Sequence, residues 1–179
     1  MRSSEHDGSV SRGRRASSTR LDNMPESVWD YPRPPRLERS SRLIRIVLGG
    51  SVLAETKHAH RVLETSHPPV YYVPFEDVRP GALVASTGPG SFCEFKGVAH
   101  YYDAIGADGV RVRRAAWSYA SPSPAYAAIA DAVAFYPSAM DECIVDGESV
   151  VAQEGDFYGG WITSEIVGPF KGAEGTSGW

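Results

Sequence analysis

Short runs of Val, Ile, Tyr and Phe, interrupted by glycine and proline, recur along the chain from residue 43 onwards. Two of these runs flank Gly49-Gly50 within residues 43–56, and two more flank Asp146-Gly147 within residues 143–153. Turns of this composition join the strands of a β-hairpin, because glycine tolerates the positive φ that the turn requires. The other runs predict strands over residues 58–64, 69–74, 92–102, 110–119 and 133–137.

The pattern as a whole predicts a mainly β protein, an antiparallel sheet or barrel with one short helix. The helix is predicted after Ser123, a candidate N-cap, with Pro124 at the first helical position. The segment AYAAIADAV that follows supplies helix-forming residues and an apolar stripe made of Tyr126, Ile129 and Val133. A single helical turn is also predicted near residues 75–78.

The domain organisation follows from length and composition. A chain of 179 residues with 42% hydrophobic side chains is typical of one domain with a sizeable core. Residues 1–25 contain almost no large apolar side chains and mix Ser, Gly and Arg, so they are predicted to form a disordered basic arm. Residues 26–172 are predicted to form a single β domain, and residues 173–179 a flexible C-terminal tail.

Charge separates the arm from the domain. Residues 1–45 hold 10 Lys and Arg against 6 Asp and Glu, whereas residues 46–179 hold 8 against 16. An acidic body repels phosphate backbones, so duplex nucleic acid is not an expected partner. No stretch approaches about eighteen continuous apolar residues, and no apolar leader is found, so we expect a cytoplasmic protein without a membrane partner.

The metal-ligating residues are few. The only two cysteines are Cys93 and Cys143, and no CxxC motif occurs, so neither a disulfide framework nor a closed zinc site is expected. His58 and His60 form an HxH pair, but the carboxylates near them are loosely spaced. The sequence therefore predicts neither a metal nor a cofactor.

The stretch FCEFKGVAHYYD, residues 92–103, concentrates reactive side chains. If it is one regular strand, alternation places Cys93 on an apolar face and Lys96 on the opposite face, together with Glu94, His100 and Tyr102. Cys93 then has a packing role. Lys96 and Glu94 form either an exposed ion pair of little energetic value or part of a site in which Lys96 holds an anion or acts as a base.

Two further clusters are candidates for a site. In RVLETSHPPVYYVP, Glu64 precedes a turn that contains His67, and Tyr71 and Tyr72 point to opposite faces of the next strand. His67 in such a turn is either exposed or part of acid–base chemistry. In AAWSYASPSP, Trp117 and Tyr119 share a face, where they either form the wall of a pocket or pack in the core.

These motifs together resemble the family of domain of unknown function 427, which also carries a nucleotidyltransferase-like label. The resemblance spans residues 26–172 through RVLETSHPPVYYVPFEDV, CEFKGVAHYYD, AAWSYASPSPAYAAIADAVAFYP and DGE, in this order. It implies a small antiparallel barrel made from a single sheet, here metal-free because the zinc-binding CxxC motifs of folds of this type are missing. Its motif residues correspond here to Glu64, Tyr71, Tyr72, Cys93, Lys96, Gly97, Tyr101, Trp117 and Tyr119.

Three functions remain open at this stage. The leading hypothesis is a small-molecule pocket, catalytic or not, with Lys96 and Glu64 as catalytic groups and a set of ligand-binding residues: Tyr71, Tyr72, Glu94, Tyr101, Tyr102, Trp117, Tyr119 and His67. The second is a non-enzymatic module that binds a flat ligand or a peptide. The third is nucleotidyl transfer, although no Asp-x-Asp metal motif follows Gly50-Ser51. The sequence predicts a small-molecule partner and leaves the oligomeric state open.

Overall fold

The computed structural model describes residues 24–155 and 157–179. All but the last two residues of the predicted basic arm lie outside the described residues. The described residues form sixteen short strands: β1 Glu26–Ser27, β2 Arg36–Arg39, β3 Ile44–Leu48, β4 Ser51–Thr56, β5 His60–Leu63, β6 Val70–Pro74, β7 Leu83–Ala85, β8 Ser91–Cys93, β9 Gly97–Ile105, β10 Arg111–Ser118, β11 Ala132–Phe135, β12 Glu142–Val145, β13 Glu148–Ser149, β14 Val151–Ala152, β15 Trp161–Ile162 and β16 Ile166–Val167. They also form four 3-10 helices: Val28–Asp30, Phe75–Asp77, Pro124–Ile129 and Pro137–Ala139.

Eight of these strands form one antiparallel sheet, here called the large sheet. Its order is β2-β5-β6-β11-β10-β9-β7, and β8 pairs with β9. The central strand β11 is the run AVAF, and all four of its residues are buried. A short continuous apolar run is typical of a strand that is buried on both faces, and other side chains do pack against both faces of the large sheet at its centre.

The two predicted hairpins are confirmed, and they form a second sheet, here called the small sheet. Its order is β13-β12-β3-β4, so the two hairpins lie side by side through the antiparallel pair β12 and β3. The turn residues Gly49 and Gly50 have φ of 66° and 76°, and Asp146 and Gly147 have φ of 49° and 85°. Positive φ at both central residues is the geometry that the Gly-Gly and Asp-Gly sequences predict.

The main hydrophobic core lies between the two sheets. It combines Ile44 and Ile46 from the small sheet with Val73 and Phe135 from the large sheet, and Trp161 is fully buried among them. The mainly β class is confirmed, but the predicted closure into a single-sheet barrel is wrong. The large sheet ends at β2 and β7, which do not pair with each other in the described part of the chain. The small sheet covers the face that a barrel would have enclosed, so the hydrophobic face is buried without closure.

The predicted helix is present but is shorter than expected and is a 3-10 helix, Pro124–Ile129. Ser123 makes no side-chain capping bond, and Tyr126 has φ of −115° and ψ of 16°, outside the helical region. An isolated segment this short cannot repay α-helix nucleation, and short helical pieces commonly adopt the 3-10 form. The predicted turn near residue 75 is confirmed as Phe75–Asp77. None of the helices in the described residues has the length and apolar character needed to cross a membrane.

The prediction of one strand over residues 92–102 is wrong. Strands β8 and β9 form a hairpin in which Cys93 pairs with Gly97, and residues 94–96 make the turn. Gly97 has φ of 103°, a conformation that side-chain-bearing residues rarely adopt and that allows the chain to reverse here. The turn resets the alternation, so the assignment of Cys93 and Lys96 to opposite faces of one strand does not hold.

A bulge interrupts the pairing of β9 and β10 between Val112 and Ala116, and a buried carboxylate holds it. Asp103 is 3% exposed and accepts hydrogen bonds from the Ser86 hydroxyl, from the Arg114 backbone N–H at 2.9 Å and from Arg111 Nε at 2.7 Å. The Ser86 bond, followed by the Arg114 and Arg111 contacts, lowers the pKa of Asp103 from 3.8 to about 2. Arg114 itself has φ of 49°, in the left-handed region.

The low pKa of Asp103 predicts how stability changes with acid. A carboxyl whose pKa is lower in the folded state stabilises the fold above its unfolded pKa of 3.8, and this contribution is lost as pH falls through the folded pKa of about 2. We expect the free energy of unfolding of the wild-type protein to fall between about pH 4 and about pH 2. Asp103→Asn should be less stable at neutral pH, and its free energy of unfolding should change less over the same pH range. Urea unfolding at each pH measures this. Asp131→Asn, at an exposed position, is the control, and a wild-type-like slope in Asp103→Asn would contradict the prediction.

The first and last strands of the described residues are paired with each other. Strand β1 runs parallel to β16, with Glu26 opposite Ile166. Trp29 adds to this contact, because its indole Nε1 donates to the Pro169 carbonyl at 2.9 Å and its ring lies 5.4 Å from that of Trp179. The domain limits at residues 26 and 172 remain predictions.

Candidate functional site

A cavity of about 280 Å³ lies against the face of the large sheet that the small sheet does not cover. Three of the residues that line it, Tyr72, Trp117 and Tyr101, form its floor. They belong to a row of residues directly opposite one another across β6, β11, β10 and β9, in which Ala134 is the member from β11. Residues opposite each other in adjacent strands point to the same face, so the row brings three aromatic rings together. Tyr119 follows Trp117 by two positions and also lines the cavity.

The same alternation removes two predicted residues from the cavity. Tyr71 and Tyr102 precede or follow a member of the row by one position, so their side chains point to the opposite face. The Tyr71 ring packs 5.1 Å from Trp161, and the Tyr102 ring packs 5.7 Å from Phe75, both in the core between the sheets. The predicted split between Tyr71 and Tyr72 is confirmed, and only Tyr72 lies at the cavity.

The structure brings the other eight predicted site residues together around this one cavity: Glu64, His67, Tyr72, Glu94, Lys96, Tyr101, Trp117 and Tyr119. They come from six different strands, turns or loops. Cys93, which was expected to pack in a core, also lines the cavity and is half-buried. The β8–β9 hairpin places Cys93, Glu94 and Lys96 at the same wall.

Lys96 is the most unusual of these residues. It is 8% exposed, and its Nζ lies 5.8 Å from the centre of the Tyr119 ring and 6.0 Å from that of Tyr126. None of the ion pairs among the described residues includes Lys96. Its own carbonyl accepts the Ser123 N–H at 3.1 Å, which fixes the tip of the hairpin against the chain that follows β10. The ammonium group is therefore held in the cavity wall by aromatic faces and without a carboxylate.

Glu64, the second predicted catalytic residue, lies at the rim. Its Oε1 is 3.4 Å from Arg33 Nε, so its carboxylate is paired with the segment that precedes β2. Glu64 and Lys96 share the cavity, but they do not form an ion pair with each other among the described contacts. The hypothesis of a Lys96–Glu64 charged pair therefore lacks a direct contact.

His67 is held in one tautomer by Gln153. The Gln153 amide is oriented by the backbone, because its Oε1 accepts the Gly160 N–H at 3.1 Å and its Nε2 donates to the Lys171 carbonyl at 2.6 Å. The same Nε2 lies 3.1 Å from His67 Nδ1, so Nδ1 must accept and the ring proton must lie on Nε2. Burial, followed by the nearby charges of Lys171, Arg33 and Lys96, lowers the pKa of His67 to about 4. At neutral pH this imidazole is an uncharged N–H donor at the cavity.

With the fold and the cavity described, comparison with known proteins assigns the chain to a family. The family model described as a domain of unknown function (DUF427), whose label refers to NTP transfer, matches residues 36–146, more than half of the chain. The chain belongs to the DUF427 family. No curated protein matches the sequence.

The far wall of the cavity lies beyond the DUF427 match. Gln153, Tyr158, Gly159 and Lys171 all line the cavity and none was singled out from the sequence. Gly159 is in close contact with the floor, since a Cβ placed there would lie 2.3 Å from Trp117 Cη2. The Gly-rich aromatic run GDFYGGW was the available signal, because glycines between aromatic residues mark places where backbone approaches a ring closely.

Tyr136 is a further cavity residue that lies within the DUF427 match but was not predicted. Its ring packs 4.5 Å from that of Trp117, and its hydroxyl donates to the Phe157 carbonyl at 3.4 Å. It directly follows the last residue of β11, where Phe135 points to the other core. Burial raises the pKa of Tyr136, and that of Tyr119, above the ordinary tyrosine value, so both phenols stay protonated donors at neutral pH.

Proposed function

We propose that this DUF427 domain binds a small, flat, acidic molecule in the cavity, with the acid group on Lys96 and the ring against Trp117 and Tyr119. The observation that carries the proposal is the buried Lys96 ammonium, which has aromatic neighbours and no ion-pair partner among the described residues. A flat ligand suits walls of this kind, since aromatic rings stack on one another in offset or edge-on arrangements.

The energetic argument concerns the cost of burying an ammonium group. An isolated buried charge is unfavourable, and contact with a ring face compensates for only part of the lost hydration. A ligand carboxylate or phosphate would supply the missing opposite charge and form a charge-assisted hydrogen bond, which is about twice as strong as a neutral one. Binding would thus remove a penalty that the free protein carries.

His67 provides a second, uncharged contact for the same ligand. Its Nε2–H is available because Nδ1 is occupied by Gln153. A donor that is neutral at pH 7 suits a carbonyl or hydroxyl oxygen, whereas Lys96 suits the acid. The two groups therefore support a ligand with an acid and a neutral oxygen on one ring system.

Of the three hypotheses, ligand binding has the most support from the geometry. The Lys96–Glu64 contact that catalysis by this pair would use is replaced by the Glu64–Arg33 pair. The Gly50-Ser51 sequence that could suggest nucleotidyl transfer lies where the turn after β3 meets the first residue of β4, and neither residue lines the cavity. Nucleotides are nevertheless flat anions, so they belong among the ligands to be tested, with and without magnesium.

Cys93 offers a direct measurement of occupancy. It lines the cavity, whereas Cys143 is 2% exposed and burial raises its pKa to about 12. We expect the folded protein to react with iodoacetamide at Cys93 alone, and a bound acid to slow that reaction. Iodoacetamide is neutral, so it does not compete for Lys96. A screen of aryl carboxylates and nucleotides by this assay, with Cys93→Ala as the unreactive control, tests the proposal.

Lys96→Met decides whether the protection comes from the proposed contact. This variant should keep the fold and lose the protection, because the side chain retains its length and loses its charge. Lys57→Met, at an exposed position in the loop after β4, is the matched control and should behave as wild type. Equal protection of Cys93 in wild type and Lys96→Met would overturn the proposed function.

A further inference from the structure

A second cavity, of about 400 Å³, adjoins the first. The two share Ser91, Tyr101, Tyr136 and Phe157 as lining residues, so the Tyr101 and Tyr136 side chains stand between them. The second cavity also contains Arg114, the residue at the bulge of β10. A ligand longer than the first cavity would therefore extend past Tyr101 towards this arginine.

Arg114 is held in place from both ends. Its backbone N–H is bonded to the buried Asp103 at 2.9 Å, and its guanidinium carbon lies 3.9 Å from the centre of the Tyr101 ring. The Tyr101 hydroxyl is in turn 2.8 Å from the Ser91 hydroxyl, which fixes the ring on which the guanidinium stacks. The left-handed φ of 49° is unfavourable in a residue other than glycine, so the contacts around the bulge must stabilise it.

The guanidinium has unused donors. Among the described residues it makes one hydrogen bond, from Nη2 to the Pro89 carbonyl at 3.2 Å, although the group carries five N–H donors. No ion pair among the described residues includes Arg114. A stacked, half-buried arginine with free donors is suited to bidentate binding of a carboxylate or phosphate.

We infer that the two cavities form one elongated site for a ligand with an acid at each end, in which Lys96 binds one acid and Arg114 binds the other. This inference rests on the proposed function, because it takes the Lys96 end as the first contact. The Lys96 ammonium lies beside the Tyr119 ring and lines only the first cavity, whereas the Arg114 guanidinium stacks on the Tyr101 ring and lines only the second, so the two basic groups stand in different parts of the combined site. The first cavity alone is slightly smaller than the ~300–1,000 Å³ typical of ligand sites, and the pair together falls within that range.

The test compares two rigid acids of the same width. Biphenyl-4-carboxylate carries one acid, and biphenyl-4,4′-dicarboxylate carries a second at the opposite end. We expect wild type to bind the diacid at least about tenfold more tightly, since a charge-assisted hydrogen bond contributes roughly enough for that ratio. Isothermal titration calorimetry measures both dissociation constants on the full chain.

Arg114→Gln should remove the preference for the diacid, so that the ratio of the two dissociation constants falls to about one. Arg114→Asn serves as a second variant, because asparagine tolerates a left-handed backbone better. Arg113→Gln removes the same charge from the exposed neighbour and should keep the preference. Lys96→Met should weaken both acids.

The outcomes separate the two proposals. If wild type shows no preference for the diacid, or if the preference survives in both Arg114 variants, the elongated site is wrong while the Lys96 site stands. If Lys96→Met binds the monoacid as tightly as wild type does, or if wild type binds neither acid, the proposed function is wrong and the present inference falls with it.

Discussion

Trp161→Ala is expected to lower the free energy of unfolding by about 3–5 kcal/mol, as replacement of a fully buried large aromatic side chain does. Trp161 is 0% exposed and its ring packs 5.1 Å from that of Tyr71. The indole Nε1 donates to the Phe135 carbonyl at 3.3 Å, and the Trp161 backbone N–H donates to the Pro69 carbonyl at 2.8 Å. The substitution leaves a cavity in the main core and removes the donor for a buried carbonyl of the central strand.

Urea unfolding followed by far-ultraviolet circular dichroism measures the loss, because this signal does not depend on the tryptophan removed. Trp29→Ala is the matched control, since Trp29 is 43% exposed and makes a similar indole bond at the surface. Trp29→Ala should lower the free energy of unfolding by clearly less than Trp161→Ala does. A loss below about 1 kcal/mol for Trp161→Ala would mean that the core can collapse around the missing ring, contrary to this prediction.

Gly159→Ala is expected to weaken binding of biphenyl-4-carboxylate by more than about tenfold, because it displaces the floor of the cavity. A Cβ at position 159 would lie 2.3 Å from Trp117 Cη2 and 2.9 Å from Cζ3. Trp117 is 8% exposed and packs against Tyr72 and Tyr136, so it cannot retreat into the sheet. The added methyl group must therefore either push the indole of Trp117 into the cavity or displace the backbone at residue 159 away from the ring. Overpacking of this kind typically also lowers the free energy of unfolding by about 1–3 kcal/mol.

Calorimetric titration and urea unfolding on the same variant distinguish these effects. Gly178→Ala is the control, since a Cβ there meets nothing within 4 Å. The double variant Gly159→Ala/Trp117→Phe should recover part of the stability lost in the single variant, because phenylalanine lacks the two colliding atoms. Wild-type affinity in Gly159→Ala would show that the floor of the site does not depend on this close contact.

The local chemistry of the chain was sufficient to predict much of the fold. Gly49-Gly50 and Asp146-Gly147 gave hairpins where expected, because the required backbone conformation is available mainly to glycine and a few partners. Alternation along β6 separated Tyr71 from Tyr72 for the same local reason. What alternation cannot show is which face of a sheet meets another sheet. The sandwich with the small sheet was therefore mistaken for a closed barrel.

The error at residues 92–102 has a specific cause. The run is rich in strand-forming residues on both sides of Lys96, so its composition resembles one long strand. Only the positive φ of Gly97 and the turn at residues 94–96 reveal two strands, and a lone glycine within such a run also fits a bulge. This error changed the predicted site, because the turn places Cys93 and Lys96 in the same wall of the cavity, whereas a single strand would place them on opposite faces of the sheet.

The cavity could be predicted only in part. The residues of its floor belong to strands with a recognisable pattern, and eight of the ten predicted residues line it. Gln153 and Lys171 reach it from irregular segments, where no periodicity relates sequence to position. The sequence likewise cannot show that Lys96 has no ion-pair partner among the described residues, because the distances from its ammonium group to the carboxylates are set only when the chain folds.

The parallel pairing of β1 with β16, together with the contact between Trp29 and Trp179, means that the first and last described segments of the chain lie side by side. A fold whose first and last described segments adjoin can be inserted into a surface loop of another protein without forcing the host chain apart, and these two segments can be joined by a short linker and the chain reopened elsewhere. New ends placed at the exposed Gly81 turn, which lies outside the linings of both cavities, would leave the proposed site intact.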